Sequence, residues 1–177
     1  MLISRLRLSR DLVRLCNGCG CWHSVKHSSC VACACSLSEP PVKKTVRDFS
    51  EQVALGDLQE GRLLTTFDFV VTEYPWPSGR VHLATVFSGV SGFSQLRKTH
   101  APLLAKARDA TKGCAKKMTL PKGVFGFFTW SPLRMVCMHY IVPPFKTDFT
   151  AAPDWLSVEQ VLDSLETSDR IPKTILS

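Results

Sequence analysis

From residue 61 onward the apolar and polar positions alternate with the period of a strand. In RLLTTFDFVVTEY, which begins at Arg62, Thr65, Phe67, Phe69 and Val71 fall on one side. The run is rich in the β-branched and aromatic residues that suit a pleated, half-buried surface. Pro75-Trp76-Pro77-Ser78-Gly79 supplies turn chemistry. RVHLATVF follows, with Val81, Leu83, Thr85 and Phe87 alternating against His82, Ala84 and Val86. The two runs predict a β-hairpin, closed by SGVSGF at 88–93. KGVFGFFTW and LRMVCMHYIV predict a second hairpin across Ser131-Pro132. Between them, residues 95–117 read as a helix that begins around Pro102, where proline is tolerated in the first turn, and ends near Gly113. The order is β-β-α-β-β, an α+β domain over 61–150.

The flanks are helical. In residues 45–60, Val46, Phe49, Val53 and Leu58 recur at near-helical spacing, and Gly56 weakens the end. In the tail, Ser157 and Gln160 form a capping-box pair. Val158, Val161, Leu162 and Leu165 make one apolar stripe, with Glu159, Asp163 and Glu166 outward. The predicted organisation is a basic arm or short presequence at 1–15 and a zinc ribbon at 16–36. A linker with a short helix follows at 37–60, marked by Glu39-Pro40-Pro41, then the α+β domain at 61–150 and an acidic helical tail at 151–177. No apolar run approaches the roughly eighteen residues of a membrane span.

Cysteine spacing adds chemistry. CNGCGCWHSVKHSSCVACAC, beginning at Cys16, holds two copies of C-x2-C-x-C. Paired C-x2-C hooks a short hairpin apart converge four thiolates at about 2.3 Å from a tetrahedral zinc. Cys16, Cys19, Cys30 and Cys33 are the expected ligands. Cys21 and Cys35, two residues past each hook, are expected to point away, and His23 and His27 inside the hairpin to stay outside the coordination shell. A closed four-thiolate site leaves no position for substrate, so the zinc is read as structural. A disulfide cluster would call for a secreted chain, and no signal peptide is visible.

Charge points to a polyanion. The chain carries a net +7 with a pI near 9.1. Arg97, Lys98, Lys106, Arg108, Lys112, Lys116, Lys117 and Lys122 face a single acid, Asp109, between residues 97 and 122. On a helix backed by Leu103, Leu104 and Ala107 they make a face suited to phosphates. Arg5, Arg7, Arg10 and Arg14 are interleaved with leucines in an acid-poor start that reads as a mitochondrial presequence or a nucleic-acid arm. The expected RNA-binding residues are therefore Arg5, Arg7, Arg10, Arg14, Lys26, Arg97, Lys98, Lys106, Arg108, Lys112, Lys116 and Lys117. No nucleophile elbow, phosphate-binding glycine loop or H-E-x-x-H occurs. His82 and His139 read as half-buried sheet residues, Cys114 and Cys137 as free thiols, and Trp76, Phe127, Phe128 and Trp130 as core aromatics. The expectation is a chain that is not an enzyme.

The ribbon, C-x2-C-G…K-H-x2-C-x2-C, resembles that of the bacterial-type large-subunit ribosomal protein thirty-two family, particularly its mitochondrial members, at Cys16, Cys19, Gly20, Lys26, His27, Cys30 and Cys33. The resemblance covers about the first 36 residues and has one more residue between the hooks than the family pattern. It implies structural zinc, a basic arm threading ribosomal RNA, and partners that are ribosomal RNA and neighbouring ribosomal proteins, with no membrane and no small-molecule substrate. Ribbon plus strands also looks like the acyl-CoA-associated proteins that join a rubredoxin-like ribbon to an OB-fold and partner thiolase-type enzymes. The sequence reading is an RNA-binding component of a mitochondrial ribosome, with that accessory protein as the alternative.

Overall fold

The structure, a computed structural model, describes residues 12–20, 22–25, 27–30, 33–43, 48–129, 133–152 and 154–171. Among these the chain is α+β, with two antiparallel sheets. In the small sheet, β1 (Leu12–Leu15) lies between β2 (Trp22–Ser24) and β3 (Val42–Lys43). Arg14 faces His23 across the β1–β2 ladder. Its guanidinium donates to the carbonyls of Val25, Leu37 and Glu39 at 3.1, 2.8 and 2.7 Å. One side chain thereby closes the loops of the ribbon onto its central strand. Arg5, Arg7, Arg10 and Lys26, expected to contact RNA, lie outside the described residues, as does Cys21.

A short helix, α1 (Phe49–Leu55), leads into the second sheet. Asp48 caps it. Its Oδ1 accepts from the Ser50 hydroxyl and the Glu51 N–H at 2.5 and 3.1 Å, and the Glu51 carboxylate accepts from the Asp48 N–H in return. This capping box satisfies donors that the first helical turn leaves unpaired. Asp48 Oδ2 also accepts from the Arg134 N–H at 2.9 Å, which ties the helix start to a segment 86 residues away. Gly56 ends the helix in a left-handed conformation, φ 85°.

The large sheet is built from β4 (Arg62–Thr65), β5 (Phe69–Glu73), β6 (Val81–Phe87), β7 (Val124–Phe128), β8 (Cys137–Val142) and β9 (Trp155–Ser157). Their spatial order is β4-β5-β6-β8-β7-β9. Helix α2 (Ala101–Lys117) connects β6 to β7, and α3 (Val158–Thr167) follows β9. Both predicted hairpins are present as antiparallel pairs, β5 with β6 and β7 with β8.

The arrangement is richer than β-β-α-β-β. The first predicted strand divides into β4 and β5, because Thr66 accepts at Oγ1 from the Phe69 N–H while its own N–H donates to the Phe69 carbonyl. The chain turns there, and Phe67, expected to share a face with Phe69 and Val71, is 96% exposed. Helix α2 passes through Gly113 and runs on to Lys117. Cys114 and Ala115 are buried just beyond the glycine, and such packing outweighs the roughly 1 kcal/mol that glycine costs a helix. In the tail, β9 pairs with β7 as an edge strand before the capping box of Ser157 and Gln160 starts α3.

The alternation in β6 and β8 puts large residues on both faces. Phe69, Val71, Phe87, Phe127 and Met138 pack with Leu104 and Ala107 of α2 and with Val161 and Leu165 of α3. On the other face, Val70, Ala84, Val86 and Cys137 pack with Phe49 and Val53 of α1. The two central strands are thus covered on both sides.

Gly126 marks the tightest strand contact. A Cβ there would lie 2.3 Å from Trp155 Cζ2 and 2.5 Å from the Leu156 carbonyl oxygen. Gly126→Ala is expected to destabilise the fold by about 1–3 kcal/mol, the usual range for overpacking. Urea unfolding of the two proteins measures it, and an unchanged midpoint would show that β9 yields freely.

Candidate functional site

The sulfurs of Cys16, Cys19, Cys30 and Cys33 all lie within 4.8 Å of one another. Cys16 Sγ is 3.4 Å from Cys33 Sγ, and Cys19 Sγ is 3.5 Å from Cys30 Sγ. A tetrahedron with metal–sulfur bonds of about 2.3 Å has edges of about 3.8 Å, so these two pairs stand within a few tenths of an ångström of the spacing an ion needs. Cys16 and Cys30 are buried, and the predicted set is the one the fold brings together. The backbone N–H of Cys35, followed by the thiol of Cys16, directs hydrogen bonds at the Cys33 sulfur and pushes its pKa down to about 6. A thiol that ionises this readily is a prepared ligand. Cys35 is exposed, and its hydrogen bond to Cys33 favours its protonated form.

The two ribbon histidines differ in role. His23 is buried with Nε2 3.2 Å from Cys30 Sγ. Burial, then the neighbouring His27, pushes its pKa down to about 4, so it meets the sulfur as a neutral ring. His27 Nε2 lies 2.9 Å from Asp154 Oδ2 and links the ribbon to the turn before β9. The ribbon is also joined to the body through Trp76, which packs on the Cys16–Cys30–Leu37 cluster and on the apolar cluster beneath α1.

Beside Trp76 the sheet carries a histidine pair. His82 of β6 and His139 of β8 are buried, with His82 Nε2 2.8 Å from His139 Nδ1. They are 57 residues apart in sequence. Strand pairing brings them together, since His139 sits opposite Ala84, two residues along from His82 on the same face. Tyr74 lies 4.4 Å from His82, ring centre to ring centre, and Phe128 5.3 Å from His139. Burial lowers the His139 pKa to about 3, and burial followed by the charge of His139 lowers that of His82. Both rings are therefore neutral near pH 7.

Proton placement follows from the neighbours. The Ser78 N–H donates to His82 Nδ1 at 3.3 Å, so that nitrogen is bare and His82 Nε2 carries the proton. It donates to His139 Nδ1, which leaves the second proton of the pair on His139 Nε2. That nitrogen has no hydrogen-bond partner among the described residues. The Ser78 contact is long, and giving it up would let the pair reverse, with His139 Nδ1–H donating to His82 Nε2. His139 Nε2 would then present a lone pair. Sequence reasoning placed both histidines in strands but not together, because no spacing rule links residues on strands separated by a helix.

The predicted cationic face is divided. Lys106 Nζ lies 3.7 Å from Asp68, and Arg108 is paired with Asp109 at 3.3 Å and Glu159 at 3.9 Å. Arg97 donates to the carbonyls of Ser94 and Leu96, and Lys98 to that of Glu166. Lys112, Lys116, Lys117 and Lys122 are exposed, with no acidic partner among the described residues. Cys114 and Cys137 are buried, and burial pushes both thiols up, Cys137 the more strongly.

No family model matches the chain, and no curated protein matches it in sequence. Its fold is similar to that of Hnt3 in complex with DNA and guanosine, at TM-score 0.51 and 10% identity over 67% of this chain and 76% of that one. It is similar to the aprataxin ortholog Hnt3 from Schizosaccharomyces pombe, at TM-score 0.51 and 12% identity over 68% and 74%. A HIT family hydrolase from Legionella pneumophila matches at TM-score 0.50 and 14% identity over 58% and 97%. The likeness lies in the fold, and it overturns the reading from the ribbon. The body shares its fold with these structures, so the assignment to a mitochondrial ribosome, with ribosomal RNA and ribosomal proteins as partners, is corrected. The expectations of no enzymatic role and no small-molecule ligand are corrected with it. One similar structure is a hydrolase and another holds DNA and guanosine.

Two outcomes follow from this geometry. Metal analysis of the full chain should give one ion per molecule for the native protein and for Cys35→Ser, and none for Cys30→Ser. Retention of the ion by Cys30→Ser would remove that residue from the ligand set. The buried histidines also make stability depend on pH. The unfolded chain takes up protons near pH 6.5 while folded His139 resists them down to about 3, so stability is full above the first value and declines towards the second. The decline reaches about 1.4 kcal/mol per pH unit for one histidine. Denaturant unfolding from pH 7 to pH 4 should show a shallower decline for His139→Phe than for the native chain. Equal slopes would place the acid sensitivity elsewhere.

Proposed function

We propose that this chain hydrolyses a phosphate ester or anhydride attached to a nucleoside, with His139 as the reacting side chain and zinc as the ion in the four-cysteine cluster. The observation that carries the reading is the neutral, hydrogen-bonded pair of His82 and His139 on the central strands of a fold shared with a HIT family hydrolase and with Hnt3 bound to DNA and guanosine.

The chemistry needs both arrangements of the pair. With the proton on Nε2, His139 donates to a phosphoryl oxygen or a departing oxygen. With the pair reversed, the same nitrogen offers its lone pair to phosphorus as the P–O bond to the departing group breaks, and water then cleaves the N–P bond to release phosphate and return the ring. The reversal moves one proton across a 2.8 Å hydrogen bond, and both rings stay neutral because His139 Nε2 gives its proton to water and His82 Nδ1 takes one up from water, which sacrifices the long contact from Ser78. His82 is a positioning residue, because it sets which nitrogen of His139 is bare. The pair is 2–3% exposed, so substrate enters after the aromatic side chains above it move. Closure over a bound phosphate then excludes water, which strengthens each hydrogen bond made inside.

Zinc suits four thiolates of this spacing, and a closed set of protein ligands gives it a structural role. It fixes the ribbon against Trp76 and through it the face that carries the histidines.

The test is hydrolysis of a panel of nucleoside 5′-phosphate esters and anhydrides by the full chain. His139→Ala is expected to abolish turnover, and His82→Asn to lower kcat by about 10²-fold, the range for a displaced proton-transfer group. Native-like unfolding of both variants would exclude collapse as the cause. Turnover that survives in His139→Ala, or its absence with every member of the panel, would overturn the assignment.

A further inference from the structure

Helix α2 and the start of β7 frame a cleft of about 510 Å³ that the histidine pair does not use. Lys112 and Lys122 form its cationic part, and Phe125, Tyr140 and Trp155 its aromatic part. A second hollow of about 330 Å³ adjoins it, sharing Lys112, Lys122 and Tyr140 and adding Lys116. Phe125 and Tyr140 are cross-strand partners with ring centres 4.5 Å apart, on the sheet face opposite His139. Tyr140 is fixed at its hydroxyl, which donates to the Pro121 carbonyl at 2.8 Å and accepts from the Gly123 N–H at 2.9 Å. The floor is therefore rigid, and half-buried Phe125 presents the accessible ring, with Lys112 Nζ 5.8 Å from its centre.

The charge balance of the groove is cationic. Lys112, Lys116 and Lys122 have no acidic partner among the described residues. The one carboxylate lining the cleft, Glu159, lies 3.9 Å from Arg108. Beyond the Lys112–Phe125 contact, like charges gathered here repel one another. They suit a ligand that brings phosphates to the lysines and a flat base to the ring. The larger hollow fits one nucleotide, and the smaller fits part of a neighbour.

We infer that this groove binds a single strand of nucleic acid, with one base on Phe125 and consecutive phosphates on Lys112, Lys116 and Lys122. The site faces away from His139, so it holds strand and not the reacting phosphate, and its occupation does not depend on hydrolysis.

Fluorescence anisotropy with a labelled oligothymidylate and the full chain tests the assignment. Lys112→Gln/Lys116→Gln/Lys122→Gln is expected to weaken binding by about tenfold or more and to flatten the slope of log affinity against log salt by about 0.7 for each phosphate no longer neutralised. Phe125→Ala should weaken binding without changing that slope. Lys106→Gln/Lys117→Gln, on the same helix but outside the groove, should bind within about twofold of the native protein. His139→Ala should bind the strand normally, which separates failure of this site from failure of the histidine assignment. Equal losses in the groove and control variants would mean diffuse attraction and overturn the groove. Unchanged affinity in the triple variant would overturn it as well, as would binding of free thymidine monophosphate with no binding of the oligomer.

Discussion

Covering both faces of β6 and β8 is the constraint on which this molecule depends. Neither strand keeps a solvent side: Ala84, Val86 and Cys137 point one way, and Leu83, Phe87 and Met138 the other. Helices α2 and α3 cover one face. On the other, among the described residues, α1 packs on Val70, Ala84 and Cys137 while Phe149 and Trp155 pack on Ile141, and further cover comes from outside the sheet. Trp76 and the cysteine ribbon supply it, held by the His27–Asp154 contact and by packing on Leu37. A small four-cysteine hairpin, unable to build a core of its own, therefore serves as part of the wall of a larger one.

That arrangement explains why the histidine pair is so strongly desolvated. An imidazole pair on a sheet face open to water would titrate near its ordinary range. Under Tyr74, Phe128 and the aromatic cluster around Trp76, the charged forms are disfavoured and the pair stays neutral. Retaining two polar rings there is made possible by the short hydrogen bond between them and the Ser78 N–H on His82, which satisfy three of their four nitrogens among the described residues. Stability and proposed chemistry meet in this contact.

Local rules were legible in the sequence, and pairings across the sheet were not. The cysteine hooks, the capping box of Ser157 and Gln160 and the end of a helix at Gly56 each depend on residues a few positions apart, and each occurs where the pattern puts it. The division between β4 and β5 was missed because Thr66 and Asp68 interrupt a run whose alternation otherwise continues. Gly113 misled because its helical cost is small beside the burial of Cys114 and Ala115. The short edge strand β9 was hidden by the helical stripe beginning one residue later. The ribbon spoke most clearly and drew the whole chain towards the ribosome, whereas the fold is carried by the body. His82 and His139 could have been flagged only as two histidines on apolar strands, since their meeting is a matter of register.

Strand β8 carries adjacent residues with opposite destinations. His139 turns towards α1 and the ribbon, while Tyr140 turns towards α2 and anchors the floor of the lysine-lined groove. The two surfaces are separated by one peptide bond. Loss or gain of a single residue just before Cys137 would rotate the whole strand by half a period, turning the phenol to the histidine's face and the imidazole to the groove's face. Length in that short entry segment is therefore as stringent a requirement as the identity of either side chain, and drift in this lineage should tolerate substitutions there far more readily than indels.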